Sequence, residues 1–176
     1  MDDLPLFEAS AIDTRRSNDR SAVDSALPPI ESIIPHRGSM LLLDAVAAVD
    51  DTSIEAIASV WGDAWYADAQ GAMPVWIGIE LMAQAIAAHV GLLSLREGRP
   101  ARPGVLLGAR RYEAHVPFFV RDAVLSIRAT EMLRGESGHG AYACTIEHDG
   151  LLCARATVKV FQPLDFQSFI EEGFRS

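Results

Sequence analysis

Cysteine is scarce in this chain: of 176 residues only Cys144 and Cys153 carry a thiol. Their spacing fits no metal-binding pattern, so both read as reduced strand or core residues and no metal is expected. Positive charge is short as well. Fifteen Lys and Arg face 24 Asp and Glu, a net charge of −9, which disfavours general nucleic-acid binding. The opening residues show no basic start followed by an apolar run, so no secretory signal is expected and the cytoplasm is the default compartment. Repeats and low-complexity runs are missing from the sequence too, and it holds a single long apolar segment.

That segment, Pro74 to Leu95, organises the rest. Its strongly polar side chains are Glu80, Gln84, His89 and Ser94. As a helix it would span roughly 30 Å, enough to cross a bilayer. A mid-segment Glu with Gln and His argues against insertion, since such groups are costly in lipid. We therefore expect no membrane span, but a helix apolar nearly all round because protein wraps it. Gly71 and Pro74 mark its start, and Gly98 and Pro100 its end. At about 100° per residue, Glu80 shares a face with Gln84, Ala87 and Gly91, while His89 points the opposite way. A wrapped carboxyl loses hydration, which raises its pKa unless it is paired. Glu80 is therefore the candidate proton donor or base, at a slit lined by Gln84, Ala87 and Gly91.

Half the residues are apolar (49%), and the length fits one domain. Residues 1–27 read as a mobile extension in which Leu4, Leu6 and Phe7 offer docking groups. Strands are expected at Leu41–Val49 and Ser53–Trp61, then, after the helix, at Val105–Ala114, Ala123–Leu133, Gly140–Glu147 and Leu151–Phe161. The last two form a hairpin around His148-Asp149-Gly150. A plain two-residue turn there would set Leu152, Ala154, Ala156 and Val158 on the wrong face. The expected register is instead a three-residue loop with Gly150 left-handed, pairing Ile146 with Leu152 and Cys144 with Ala154. It puts Cys144 and Cys153 on opposite faces. Residues 164–176, with Phe166, Phe169 and Phe174, read as a tail with a short packed helix. One apolar helix among six strands is buried only if a curved antiparallel sheet wraps it, an α+β hotdog fold over residues 28–163. Such a unit leaves a strand edge open, so pairing into a homodimer or heterodimer is expected.

At Pro35–Asp44 (PHRGSMLLLD) and across Pro74–Ala88 (PVWIGIELMAQAIAA) the sequence resembles the hotdog (3R)-hydroxyacyl-[acyl-carrier-protein] dehydratases of fatty acid synthesis. It is most similar to the ApeP-like branch of aryl-polyene pigment clusters, over roughly residues 29–163. The resemblance implies dehydration of 3-hydroxyacyl thioesters held on the phosphopantetheine of an acyl carrier protein, with no metal or organic cofactor. It places Glu80 on the family's catalytic carboxylate and Gln84 on the glutamine one turn later. The backbone amide that polarises the thioester carbonyl falls on Val75, where the family usually has Gly; a helix N-terminus can supply such a site.

One departure stands out. The family carries its catalytic histidine in a G-H-F-P loop before the helix, and here that position is Tyr66. Three readings stay open. His36 is the base, brought to Glu80 by the loop before the first strand. Alternatively a different hotdog partner contributes the histidine. In the third, the chain binds or scaffolds without chemistry. Trp76 and Tyr66 are candidates to stack on an aryl or polyene chain, and Ala87 and Gly91 suit a narrow acyl tunnel. Arg96, Arg99, Arg102, Arg110 and Arg111, with Arg37 or Arg121, form the candidate docking patch for an acidic carrier protein. A hotdog thioesterase, with Glu80 activating water, is the competing enzyme class.

Overall fold

The computed structural model describes residues 27–173. The expectations for residues 1–26, including docking by Leu4, Leu6 and Phe7, and for Phe174 lie outside that range. Its elements run α1 (Ile30–Ile33), β1 (Ala45–Val49), β2 (Ser53–Ser59), β3 (Met73–Pro74), α2 (Gly78–Arg96), β4 (Val105–Ala114), β5 (Phe118–Phe119), β6 (Val124–Arg134), β7 (His139–His148), β8 (Leu151–Phe161) and α3 (Phe166–Gly173). Six strands form one antiparallel sheet in the order β1-β2-β6-β7-β8-β4, and β3 and β5 make a separate short pair. The sheet curls around α2, which is the hotdog arrangement.

The alternation in β2 explains its place. Ile54, Ala56 and Ala58 turn inward and are buried, and their neighbours are half-exposed. Against them lie Leu81, Met82, Ala85, Ile86 and Leu92 of α2, all buried. Each large aliphatic side chain so buried contributes roughly 1.5–3 kcal/mol, which is why propensity alone need not hold α2. Val75–Arg96 is long and apolar enough to cross a membrane, yet most of it is enclosed by the sheet. His89 is fully buried, with Nε2 3.0 Å from the Asp50 carbonyl oxygen and Nδ1 3.2 Å from the Tyr142 hydroxyl.

Three expectations are corrected. β1 begins at Ala45 rather than Leu41, because the Leu42 amide is taken by the Gln84 side chain instead of a neighbouring strand. The regular helix starts at Gly78, after a tighter turn over Val75–Ile77, while Pro74 is drawn into pairing with Phe118. In the β7–β8 hairpin the turn has two residues, Asp149 (φ 50°) and Gly150 (φ 76°), and pairs His148 with Leu151. That left-handed pair is the hairpin turn whose twist matches the strands. A bulge at Cys153 then restores the inward face, so that Ile146 pairs with Ala154 and Cys144 with Ala156. Both cysteines are free and buried.

Candidate active site

Glu80 sits in the first turn of α2, and Gln84 follows one turn later on the same face. Gln84 is completely buried and makes three hydrogen bonds. Its Oε1 accepts from the Leu42 amide at 3.0 Å, and its Nε2 donates to the Met40 carbonyl at 2.7 Å and to Glu80 Oε1 at 2.9 Å. It therefore ties the Pro35–Asp44 loop to the helix and fixes the carboxyl at the same time. The same loop delivers His36, whose Nε2 lies 3.4 Å from the same Glu80 oxygen. Arg37 folds back on this loop, donating to the Ile34 and His36 carbonyls. His36 Nδ1 is buried without a hydrogen-bond partner among the described residues.

The contacts to Glu80 thus converge on Oε1, and among the described residues Oε2 makes no hydrogen bond. Glu80 and His36 line a cavity of about 160 Å³ whose other walls include Ile33, Ala87, Val105 and Phe161. Burial pushes the Glu80 carboxyl up, but His36 and the Gln84 amide outweigh it and hold the group below the ordinary glutamate value. The expectation of a raised pKa is corrected: the carboxyl has partners that stabilise its charge.

The remaining candidates divide. Ala87 lines the cavity with Glu80, but Gly91 does not: a side chain there would meet the Ile33 carbonyl at 2.8 Å, so Gly91 permits close approach of α1. Tyr66 lies elsewhere, its hydroxyl accepting from the Trp61 amide at 3.0 Å, and lines a depression with Trp61 and Asp44. Trp76 is 62% exposed and shares a shallow depression with Met40, Trp65, Leu106 and Glu80. It stands on the rim, not in the core. Val75 opens the turn that leads into α2, and the Tyr112 hydroxyl donates to its carbonyl; burial pushes that Tyr112 hydroxyl up to about 12.

The arginines are spread over three elements. Arg96 ends α2, Arg99 and Arg102 lie in the connection, and Arg110 and Arg111 belong to β4. Arg96 reaches the Val49 carbonyl and Asp51, Arg99 pairs with Glu97, and Arg102 lines the Glu80 cavity. Arg121 lies over Gly62 and Gly71, beside Asp122. Sequence reasoning missed the clamp from Gln84 to Met40 and Leu42 and the wall formed by Val105, Val160 and Phe161. No local pattern marks a contact between residues so far apart in the chain. Among the described residues no group of three or more His, Cys, Asp or Glu is placed to hold a metal.

The profile of the ApeP-like family, ApeP dehydratase, matches residues 28–171. The chain belongs to the ApeP-like dehydratase family. This dehydratase is also similar to a chain of the dehydratase heterocomplex ApeI:P from Xenorhabdus doucetiae, at 28% identity and a TM-score of 0.77, covering 82% of this chain and 97% of that one. A hypothetical thioesterase from Streptococcus pneumoniae, in complex with coenzyme A, shares the fold at 18% identity and a TM-score of 0.52, covering 67% of this chain and 86% of that one. A mutant structure of the phenylacetic acid degradation protein PaaI from Thermus thermophilus does so at 21% identity and a TM-score of 0.53, covering 69% of this chain and 94% of that one. No curated protein matches the sequence.

Proposed function

We propose that this dehydratase converts 3-hydroxyacyl thioesters on an acyl carrier protein to trans-2-enoyl thioesters, in aryl-polyene or fatty acid assembly in the cytoplasm. The observation that carries the reading is a carboxyl with Oε1 tied down and Oε2 left for a ligand in the adjoining cavity. In the elimination the C2–H and C3–O bonds break and a C2–C3 double bond forms. A base takes the C2 proton, and Glu80 gives a proton to the departing hydroxyl, which leaves as water. Developing charge on the thioester oxygen is offset by the Val75 amide at the helix entry. The reaction needs no metal or organic cofactor.

Burial is the largest single influence on Glu80, and in the open cavity His36 and Gln84 overcome it. Filling the cavity with an acyl chain and covering its rim removes the remaining water. Desolvation then grows and lifts the carboxyl towards the range of an acid at neutral pH.

The base comes from a second hotdog subunit. His36 directs Nε2 at Glu80 and has Nδ1 buried, so neither nitrogen is free to take the C2 proton. Among the described residues no other histidine lines this cavity. His36 is then a positioning residue that faces Glu80 Oε1. A relative solved in a dehydratase heterocomplex accords with this division of labour. The partner's seat is the open edge of β4 with the apolar rim of Met40, Trp65, Trp76, Leu106 and Leu107.

The test is enoyl thioester formation by the purified protein alone and with a candidate hotdog partner. Glu80→Gln in the pair is expected to lower kcat by about 10²–10⁴-fold, as loss of a general acid does. His36→Ala should cost less and shift the pH profile. Full activity of the protein alone, lost in His36→Ala, would overturn the partner-base assignment. Release of free thiol without an enoyl product would mark a thioesterase instead.

A further inference from the structure

Two cavities lie in line along one face of α2. Glu80 and His36 open into the first, and the second, of about 290 Å³, lies towards the C-terminal end of the helix. They share four wall residues, Val90, Arg102, Val160 and Gln162. The floor of both is one stripe of α2 through Glu80, Ala83, Ala87, Val90, Ser94 and Glu97, residues three and four apart and therefore on one face. That stripe is about 25 Å long at 1.5 Å per residue.

A strap crosses it at the junction. The Gln162 side chain donates to the Arg102 carbonyl at 2.9 Å, the Gln162 amide donates to the Gly138 carbonyl at 2.9 Å, and Arg102 Nη1 lies 3.4 Å from the Leu164 carbonyl. The walls change character at this point. Near Glu80 they include Ile33, Ile86 and Val105; beyond Val90 they include Ser94, Arg99, Arg134, His139 and Tyr142. Arg99 is occupied by Glu97 and Arg134 by Glu131. Arg102 touches both cavities, and the one hydrogen bond its guanidinium makes among the described residues is the long one to Leu164.

We infer that the acyl chain runs along this stripe from Glu80, passes between Val90 and Val160, and ends in the polar second cavity. The preferred substrates are then long acyl thioesters with a hydrogen-bond acceptor at the far end. Val90 sets the length preference and Arg102 meets the acceptor. Ten helical residues from Glu80 to Val90 give about 15 Å, or about twelve bonds at about 1.25 Å each, so with C3 beside Glu80 a chain of roughly sixteen carbons reaches past Val90. The inference rests on the dehydratase reading of Glu80, because that reading puts the thioester end of the chain at this end of the stripe.

Binding of 3-hydroxyacyl-pantetheine thioesters of four and sixteen carbons to the full chain paired with its hotdog partner tests it, the longer one with either a methyl or a hydroxyl terminus. Val90→Phe should lower the ratio of sixteen-carbon to four-carbon affinity at least tenfold. Val90→Ala, which keeps the helix and opens the constriction, should raise it. Arg102→Leu should remove a preference for the hydroxyl-ended chain. An unchanged length ratio in either folded Val90 variant overturns the channel. Equal affinity of the unmodified protein for the two termini overturns the terminal contact. Failure of the unmodified protein to bind even the four-carbon thioester overturns the dehydratase reading itself.

Discussion

The Gln84 amide donates to Glu80 Oε1 at 2.9 Å, while its carbonyl oxygen holds the Leu42 amide at 3.0 Å. One fully buried side chain thus couples the Glu80 carboxyl to the loop that carries His36. Because both Gln84 and His36 reach the same oxygen, Oε2 is the carboxyl oxygen left without a hydrogen bond among the described residues.

Gln84→Leu should expose the value of that clamp. The Leu42 amide and the Met40 carbonyl lose their partner together, and each unsatisfied buried group costs about 1–3 kcal/mol. We expect a loss of roughly 2–4 kcal/mol by urea unfolding. Glu80 loses a hydrogen bond that favours its charged form, so the acid limb of the pH–activity profile moves up. An unchanged pH profile in a destabilised variant would confine Gln84 to folding.

His89 predicts a pH dependence of stability. Burial is the chief cause of its lowered pKa in the folded chain, against an ordinary value of 6.5, with Arg134 acting the same way and the Asp50 carbonyl, Glu131 and Asp50 opposing. The unfolded chain therefore binds the proton more readily. Stability from this group is full above the ordinary pKa and falls as pH drops from there towards the lowered folded value. Urea midpoints taken downward from neutrality should show that decline, and His89→Gln should flatten it. A wild-type midpoint constant across that window would rule the mechanism out.

The partner seat can be tested without touching Glu80. Leu107 is 52% exposed and Trp76 62% exposed, at the open β4 edge and on the rim. Placing Asp at both should weaken association with a hotdog partner about 100-fold, or about 2.8 kcal/mol, as loss of an apolar anchor does. Size-exclusion chromatography of the co-expressed pair reads the outcome. Retention of a stable pair would move the interface elsewhere.

The proposed carrier-protein docking rests on charge. Arg96→Glu with Arg99→Glu should lower carrier affinity and flatten its salt dependence, because exposed charges are screened beyond about 8–10 Å at physiological salt. Wild-type affinity should fall steeply between low and physiological salt. Indifference to salt in the unmodified protein would remove these arginines from the docking surface.

Several features were legible before folding. The inward alternation of Ile54, Ala56 and Ala58, the Gly-flanked helix with one carboxyl, and the hairpin at Asp149-Gly150 are written in local residue order. The hairpin register was not. A bulge at Cys153 restores the inward face without a third turn residue, and either route satisfies the same hydrophobic pattern. The start of β1 was misread for a related reason. Leu41 to Asp44 look like strand, but the Leu42 amide is claimed by a glutamine on another element. Gly91 read as slit lining because helical phase puts it under Glu80, and only the approach of Ile33 shows that it makes room for α1.

The sequence by itself determined the helix, the sheet that must hide it and the single carboxyl inside it, because burial of apolar faces is a local, periodic demand. Tertiary structure alone decided that His36 and Gln84 meet on one oxygen of Glu80, and that partners offset the desolvation of that carboxyl. Those outcomes depend on distances between segments remote in the chain, which residue order does not encode until the sheet closes around the helix.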